Sequence, residues 1–204
     1  CASLPKSLNT LDLGGNAAGD RCGSSACVAL KRCPSLRRIG LSRNDIGVEG
    51  ALKLSPSVRD HASLTEIHLD GNRVGDRGLG AIAAAVRATK APVEKLWVAN
   101  NSNLTAACCK PLSVLLCGSE TLRELDLSKA MIGAEGVKAL FSGVMTGGST
   151  SLETLELSGC RLRAEGAKFL GDALGKLTCL KYLGVGKNSM GDKGVFELAL
   201  RGLS

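Results

Sequence analysis

Few residues in this 204-residue chain are placed to do chemistry. Asp126 and Glu156 stand out first, each flanked by two leucines in matching phrases of the chain. Two carboxylates brought together this way are the parts of a general acid–base pair. Such a pair works only where burial separates the two pKa values. Nine cysteines and two histidines, His61 and His68, are the other candidates. No Cys-x-x-Cys occurs, and neither histidine stands at finger-like spacing from a cysteine, so no metal site is expected. There is no nucleophile elbow and no phosphate-cradling glycine loop. The expectation is a non-catalytic chain without cofactor or metal. One tryptophan, Trp97, and one tyrosine, Tyr182, remain as residues suited to gripping a partner.

The elements that position these residues come from a repeat. Leu8, Leu36, Leu64, Val93, Leu122, Leu152 and Leu180 each open a phrase apolar-x-x-apolar-x-apolar. Recurrence at so regular an interval marks a solenoid, in which each unit packs on its neighbours. The expected arrangement is one domain over residues 1–204, with no interrupting linker.

The third unit shows the grammar. Ile67 and Leu69 alternate with Glu66, His68 and Asp70, the period-2 mark of a short strand with one buried face. Asn72 follows, with an amide that can both donate to and accept from turn backbone. Gly75 and Gly78 permit a bend into a helix, where Leu79, Ile82, Ala83 and Val86 form one apolar stripe. The turn asparagine recurs at Asn16, Asn44, Asn101 and Asn188, but Ala130 and Cys160 replace it in the fifth and sixth units. The fourth unit lacks the glycine pair and has Pro111 in its helical stretch. Its helix is expected to start late, with Pro111 in the first turn.

This pattern predicts three columns along the exposed side of the strands. The first reads Thr10, Arg38, Glu66, Lys95, Glu124, Thr154, Tyr182; the second Asp12, Gly40, His68, Trp97, Asp126, Glu156, Gly184; the third Gly14, Ser42, Asp70, Ala99, Ser128, Ser158, Gly186. Trp97 and Tyr182 both fall here. Arg38, Glu66, His68, Asp70, Lys95, Trp97, Glu124, Asp126, Glu156 and Tyr182 are the candidate partner-binding residues. The columns hold six acidic and two basic side chains, whereas the chain has 26 basic, 19 acidic and a net charge of +7. The basic surplus therefore belongs to helices, loops and edges. An acidic strip with an aromatic centre suits a protein partner that is basic or mixed in charge. Nucleic acid on the basic outer surface ranks below this, since scattered lysines chiefly confer solubility.

Aromatics are 2% of the chain, so leucine must fill the core. The cysteines fall mainly at small or apolar positions of the repeat, which predicts reduced thiols and a cytoplasmic or nuclear setting. No apolar run is long enough to span a membrane. With neither end showing a polar capping unit, a fragment of a longer chain is expected.

Leu36-Arg-Arg-Ile-Gly-Leu-Ser-Arg-Asn44-Asp-Ile-Gly-Val-Glu-Gly50-Ala-Leu resembles the leucine-rich repeat pattern LxxLxLxxNxIGxxGxxxL. The repeat length is similar to that of the ribonuclease-inhibitor subtype, also found in the Ran GTPase-activating protein and NOD-like receptors. The resemblance implies an α/β horseshoe of about seven repeats, with parallel strands on the concave face and helices on the convex face. It is specific for fold and not for function; with the placement of the aromatics, the expectation is a non-catalytic protein–protein interaction module binding a partner on its concave face. A GTPase-activating regulator and a structural subunit of a large assembly are the alternatives. The acidic tail typical of the GTPase regulator does not occur in this sequence. Ribonuclease inhibition fits poorly with a pI near 9.0, because basic targets call for an acidic inhibitor.

Overall fold

The computed structural model describes residues 5–147 and 150–202. Seven three-residue strands form one parallel sheet in sequence order: β1 (Thr10–Asp12), β2 (Arg38–Gly40), β3 (Glu66–His68), β4 (Lys95–Trp97), β5 (Glu124–Asp126), β6 (Thr154–Glu156) and β7 (Tyr182–Gly184). Each leads to a helix: α1 (Asp20–Arg32), α2 (Val48–Asp60), α3 (Gly75–Ala88), α4 (Cys109–Leu116), α5 (Gly133–Met145), α6 (Arg163–Leu174) and α7 (Gly191–Gly202). The result is an α/β solenoid with the sheet on one side and the helices on the other. Strands pair about 4.8 Å apart, while packed helices need about 8–10 Å. The stack therefore bends toward the sheet, which becomes the concave face.

Register follows the predicted columns at every pairing. Thr10 lies opposite Arg38, Arg38 opposite Glu66, Glu66 opposite Lys95, and Lys95 opposite Glu124. Glu124 lies opposite Thr154, and Thr154 opposite Tyr182. The middle residue of each strand points into the core. Ile39, Ile67, Leu96, Leu125 and Leu155 are buried, while Leu11 and Leu183, in the outer strands, are only half-buried. Burying one such side chain is worth roughly 1.5–3 kcal/mol. The core is a continuous file of these residues with the helix stripe behind them, for example Leu79 and Ile82 of α3 and Leu140 and Phe141 of α5.

The two recurring glycines do different work. Gly75, Gly133 and Gly191 open α3, α5 and α7 with φ of +63°, +61° and +62°, a region in which a Cβ is strained. The second glycine sits where successive helices approach closely. A Cβ on Gly78 would lie 2.8 Å from Cβ of Ala51, and one on Gly194 would lie 2.9 Å from Cα of Ala164.

The turn asparagines form a ladder between repeats. Asn72 donates to the Leu41 and Leu69 carbonyls at 3.0 and 2.8 Å and accepts from the Asn44 and Ile46 amides, both at 3.0 Å. Asn44, Asn101 and Asn188 make the same kind of bonds. These groups are buried, so each bond prevents an unpaired backbone dipole. Where the ladder is interrupted, other groups take over. The Cys160 thiol donates to the Leu127 carbonyl at 3.1 Å. Beside Ala130, the Met131 amide bonds the Leu104 carbonyl at 2.9 Å, and Thr105 bridges Met131 in parallel.

The fourth unit follows its expectation. A short 3-10 turn, Ala106–Cys108, precedes α4, and Pro111 lies in the first turn of that helix. Thr105 caps the turn by accepting from the Ala107 amide. Asp76 from the preceding repeat holds Thr105 through its amide at 2.8 Å and its hydroxyl at 2.7 Å. A second proline, Pro56, lies inside α2. It offers no N–H to the Leu52 carbonyl one turn back. The Ser55 hydroxyl donates to that carbonyl instead, at 3.0 Å.

Candidate functional site

The site is built from the first two columns of β2 through β6. A strand's exposed residues stand opposite those of its neighbours, so side chains one repeat apart in sequence meet directly. Arg38, Glu66, Lys95 and Glu124 form an alternating ladder across four strands. Glu66 lies 3.7 Å from Arg38 and 3.8 Å from Lys95, and Lys95 lies 3.2 Å from Glu124. All four are partly exposed, so each pair adds little stability. Their consequence is charge balance, since the first column cancels itself.

Trp97 is the centre of the second column. Its indole lies over the His68 imidazole, with ring centroids 4.2 Å apart and planes inclined by 38°. Lys95 Nζ lies 5.9 Å from the indole centroid, within reach of a cation–π contact. Trp97 stays half-exposed, whereas His68 is only 4% exposed. His68 was expected on the open surface; instead it is a buried platform. Its Nε2 sits 3.2 Å from Glu66 Oε2. Burial pushes the imidazole pKa down, as does the nearby Arg38 charge, against the opposing pull of Glu66 and Asp70.

With the first column balanced, the residual negative charge comes from Asp12, Asp70, Asp126 and Glu156. Asp70 is engaged with the Ser42 hydroxyl at 3.2 Å and the Ala99 amide at 3.0 Å. Asp126 accepts from the Ser128 amide at 2.8 Å. Partial burial pushes its carboxyl pKa up, and the Asp70 and Glu156 charges add to this, against the Ser128 hydrogen bonds. Asp126 and Glu156 stand opposite each other on β5 and β6. They lie on the open face of the sheet, both partly exposed, as a pair of neighbouring negative charges.

Tyr182 is 54% exposed on β7. Hydrogen bonding to Glu156, and the charge of that carboxylate, raise its phenol pKa. Tyr182 is three strands from Trp97, about 14 Å by strand spacing. The fold places both aromatics on one face but does not bring them together. Among the described residues, no group of three or more His, Cys, Asp or Glu is arranged to hold a metal ion. Eight described cysteines are free thiols. No helix among the described residues is long and apolar enough to cross a membrane.

The Leucine Rich repeat family matches residues 32–55, 60–83, 118–141, 148–171 and 176–199, together more than half of the chain. The chain belongs to the leucine-rich repeat family. Pig (Sus scrofa) ribonuclease inhibitor is 34% identical over 135 residues, covering 66% of this chain and 29% of the inhibitor. Human NACHT, LRR and PYD domains-containing protein 3 is 32% identical over 137 residues, covering 66% of this chain and 13% of that protein. The leucine-rich repeats here are thus of the ribonuclease-inhibitor-like subtype. The chain spans less than a third of these relatives. Among solved structures, the tropomodulin C-terminal domain of Caenorhabditis elegans superposes with a TM-score of 0.55 at 18% identity, over 76% of this chain and 91% of that one. That likeness concerns the fold alone.

Proposed function

We propose that this leucine-rich repeat chain is a non-catalytic protein-binding module, and that its concave face grips a partner around Trp97. The observation that carries this reading is the half-exposed indole held in place by His68 and Lys95 at the centre of the sheet. A rigid aromatic anchor loses little conformational entropy on binding and dominates many interfaces. The self-balanced first column leaves Asp126 and Glu156 beside the indole. A partner presenting an apolar group flanked by lysine or arginine fits that combination. The relatives supply a coarse parallel, because a ribonuclease inhibitor is by its name a protein that acts on another protein. The free, mostly buried thiols favour a reducing compartment, cytoplasm or nucleus.

The test is quantitative pulldown from the native source with the wild-type chain and a Trp97→Ala/Asp126→Ala variant. The variant is expected to lose most of the captured partner. Retention of the same partners at the same yield would discard the concave site.

A further inference from the structure

The loops leading from strand to helix form one rim of the solenoid, and in the fifth to seventh repeats that rim carries four cations: Lys129, Arg161, Arg163 and Lys187. All four are exposed, and none takes part in an ion pair among the described residues. The loops touch in sequence. The Lys129 amide bonds the Ser158 carbonyl at 2.8 Å, the Cys160 amide bonds Asn188 Oδ1 at 2.7 Å, and the Arg163 amide bonds the Asn188 carbonyl at 3.0 Å. The four residues therefore sit on three adjacent loops.

Their backbones share a conformation. Lys129, Arg161, Arg163 and Lys187 all adopt left-handed conformations, with φ of +63°, +60°, +56° and +56°. A side chain is strained there and glycine is not. Other repeats use glycine at three of these four places. Gly15, Gly71 and Gly159 are the equivalents of Lys129 and Lys187, with Arg43 and Asn100 in that place in the second and fourth repeats, and Gly19, Gly75, Gly133 and Gly191 are the equivalents of Arg163, all with positive φ. The place of Arg161 is filled by Ala17, Asp45 and Ser189 in the first, second and seventh repeats, also with positive φ, and by Arg73 and Met131 in the third and fifth. Arg163 thus stands where the other repeats with this turn have glycine, while the places of Lys129, Arg161 and Lys187 are shared between small residues and longer side chains.

We propose that this rim is a second docking surface, for an acidic protein segment, with Lys129, Arg161, Arg163 and Lys187 as its cationic contacts. Protein fits better than nucleic acid for two reasons. The rim offers no aromatic platform on which bases stack. The exposed Glu135, Glu165 and Asp192 occupy the first turns of α5, α6 and α7 just behind it. A continuous phosphate backbone would be repelled by that row, whereas a peptide with spaced carboxylates can match it. This surface is separate from the concave face around Trp97 and does not rest on it.

The probes are a fluorescein-labelled peptide of alternating glutamate and glycine and a single-stranded RNA of equal charge, titrated by anisotropy at low salt. The expected result is peptide binding that weakens at least tenfold in a Lys129→Gly/Arg161→Gly/Arg163→Gly/Lys187→Gly variant. The Tm of that variant is expected not to fall, because glycine relieves the strained positions. Arg163→Gly alone is expected to lose about threefold. A control with Lys31→Gln/Lys53→Gln/Lys90→Gln/Lys176→Gln removes the same charge elsewhere and is expected to change affinity less than threefold. Trp97→Ala is expected to leave peptide binding intact. Equal weakening by the control, undiminished binding by the glycine variant, tighter binding of RNA than of peptide, or no peptide binding at all would overturn the proposal.

Discussion

The indole of Trp97 rests on the imidazole of His68 at a centroid separation of 4.2 Å. Trp97 is the one tryptophan of the chain, so its fluorescence reports on this contact without interference. His68 has a pKa held below 6.5 by burial first and by Arg38 second. A histidine with a lowered folded pKa contributes stability at pH above its unfolded value. That contribution is lost as pH falls through the folded value. Emission should therefore be flat from pH 8 to 6.5 and change with a midpoint below 6.5. His68→Gln should abolish the transition. A midpoint at or above 6.5 would show the imidazole is not buried as described.

Asn72 is 3% exposed and makes five hydrogen bonds to backbone of its own and the preceding repeat. Asn72→Ala would leave several of these groups buried and unpaired, at about 1–3 kcal/mol each where water cannot enter. A loss of about 3 kcal/mol or more is expected in urea unfolding. Asn16 is the exposed counterpart in the first repeat. There water replaces the amide, and Asn16→Ala should cost under about 1 kcal/mol. Equal losses at the two positions would contradict the role given to burial.

Asp126 has a pKa raised by burial and by its carboxylate neighbours. An acid with a raised folded pKa holds its full contribution to stability below the unfolded value and loses it as pH rises through the folded value. Asp126→Asn keeps the shape and the acceptor for Ser128 but carries no charge. Its Tm should exceed that of the wild type at pH 7, and the difference should shrink toward zero below pH 3.8. Thermal scans across this range check the sign, and a variant less stable at pH 7 would refute it.

Cysteine reactivity should follow burial. Cys179 is exposed, whereas Cys22, Cys33, Cys108, Cys109 and Cys160 are buried. Burial pushes the Cys160 thiol up to about 12, and the hydrogen bond with Cys108, together with burial, pushes Cys109 far upward. Thiols held protonated are poor nucleophiles. Site-resolved mass spectrometry after brief iodoacetamide treatment at pH 8 should find Cys179 modified and these five protected. Modification of Cys108 or Cys109 at the Cys179 rate in folded protein would contradict the burial of that pair.

The repeat phase, the strand columns, the turn asparagines and the late start of α4 are legible in the amino-acid sequence. Each depends on short-range periodicity and local backbone chemistry, such as the alternation around Ile67 or the position of Pro111. Placing Trp97 on the exposed face needed only the parity of its strand. Tertiary structure decided what those exposed residues meet. That Arg38, Glu66, Lys95 and Glu124 neutralise one another depends on side chains from four strands reaching the same distance. That His68 is covered depends on the rotamer of a tryptophan in the following repeat. That Lys129 and Arg163 are strained depends on loop dihedrals set by hydrogen bonds to the next repeat. Pattern along the chain specifies which side of an element faces inward, whereas burial and charge pairing arise only once neighbouring layers are stacked.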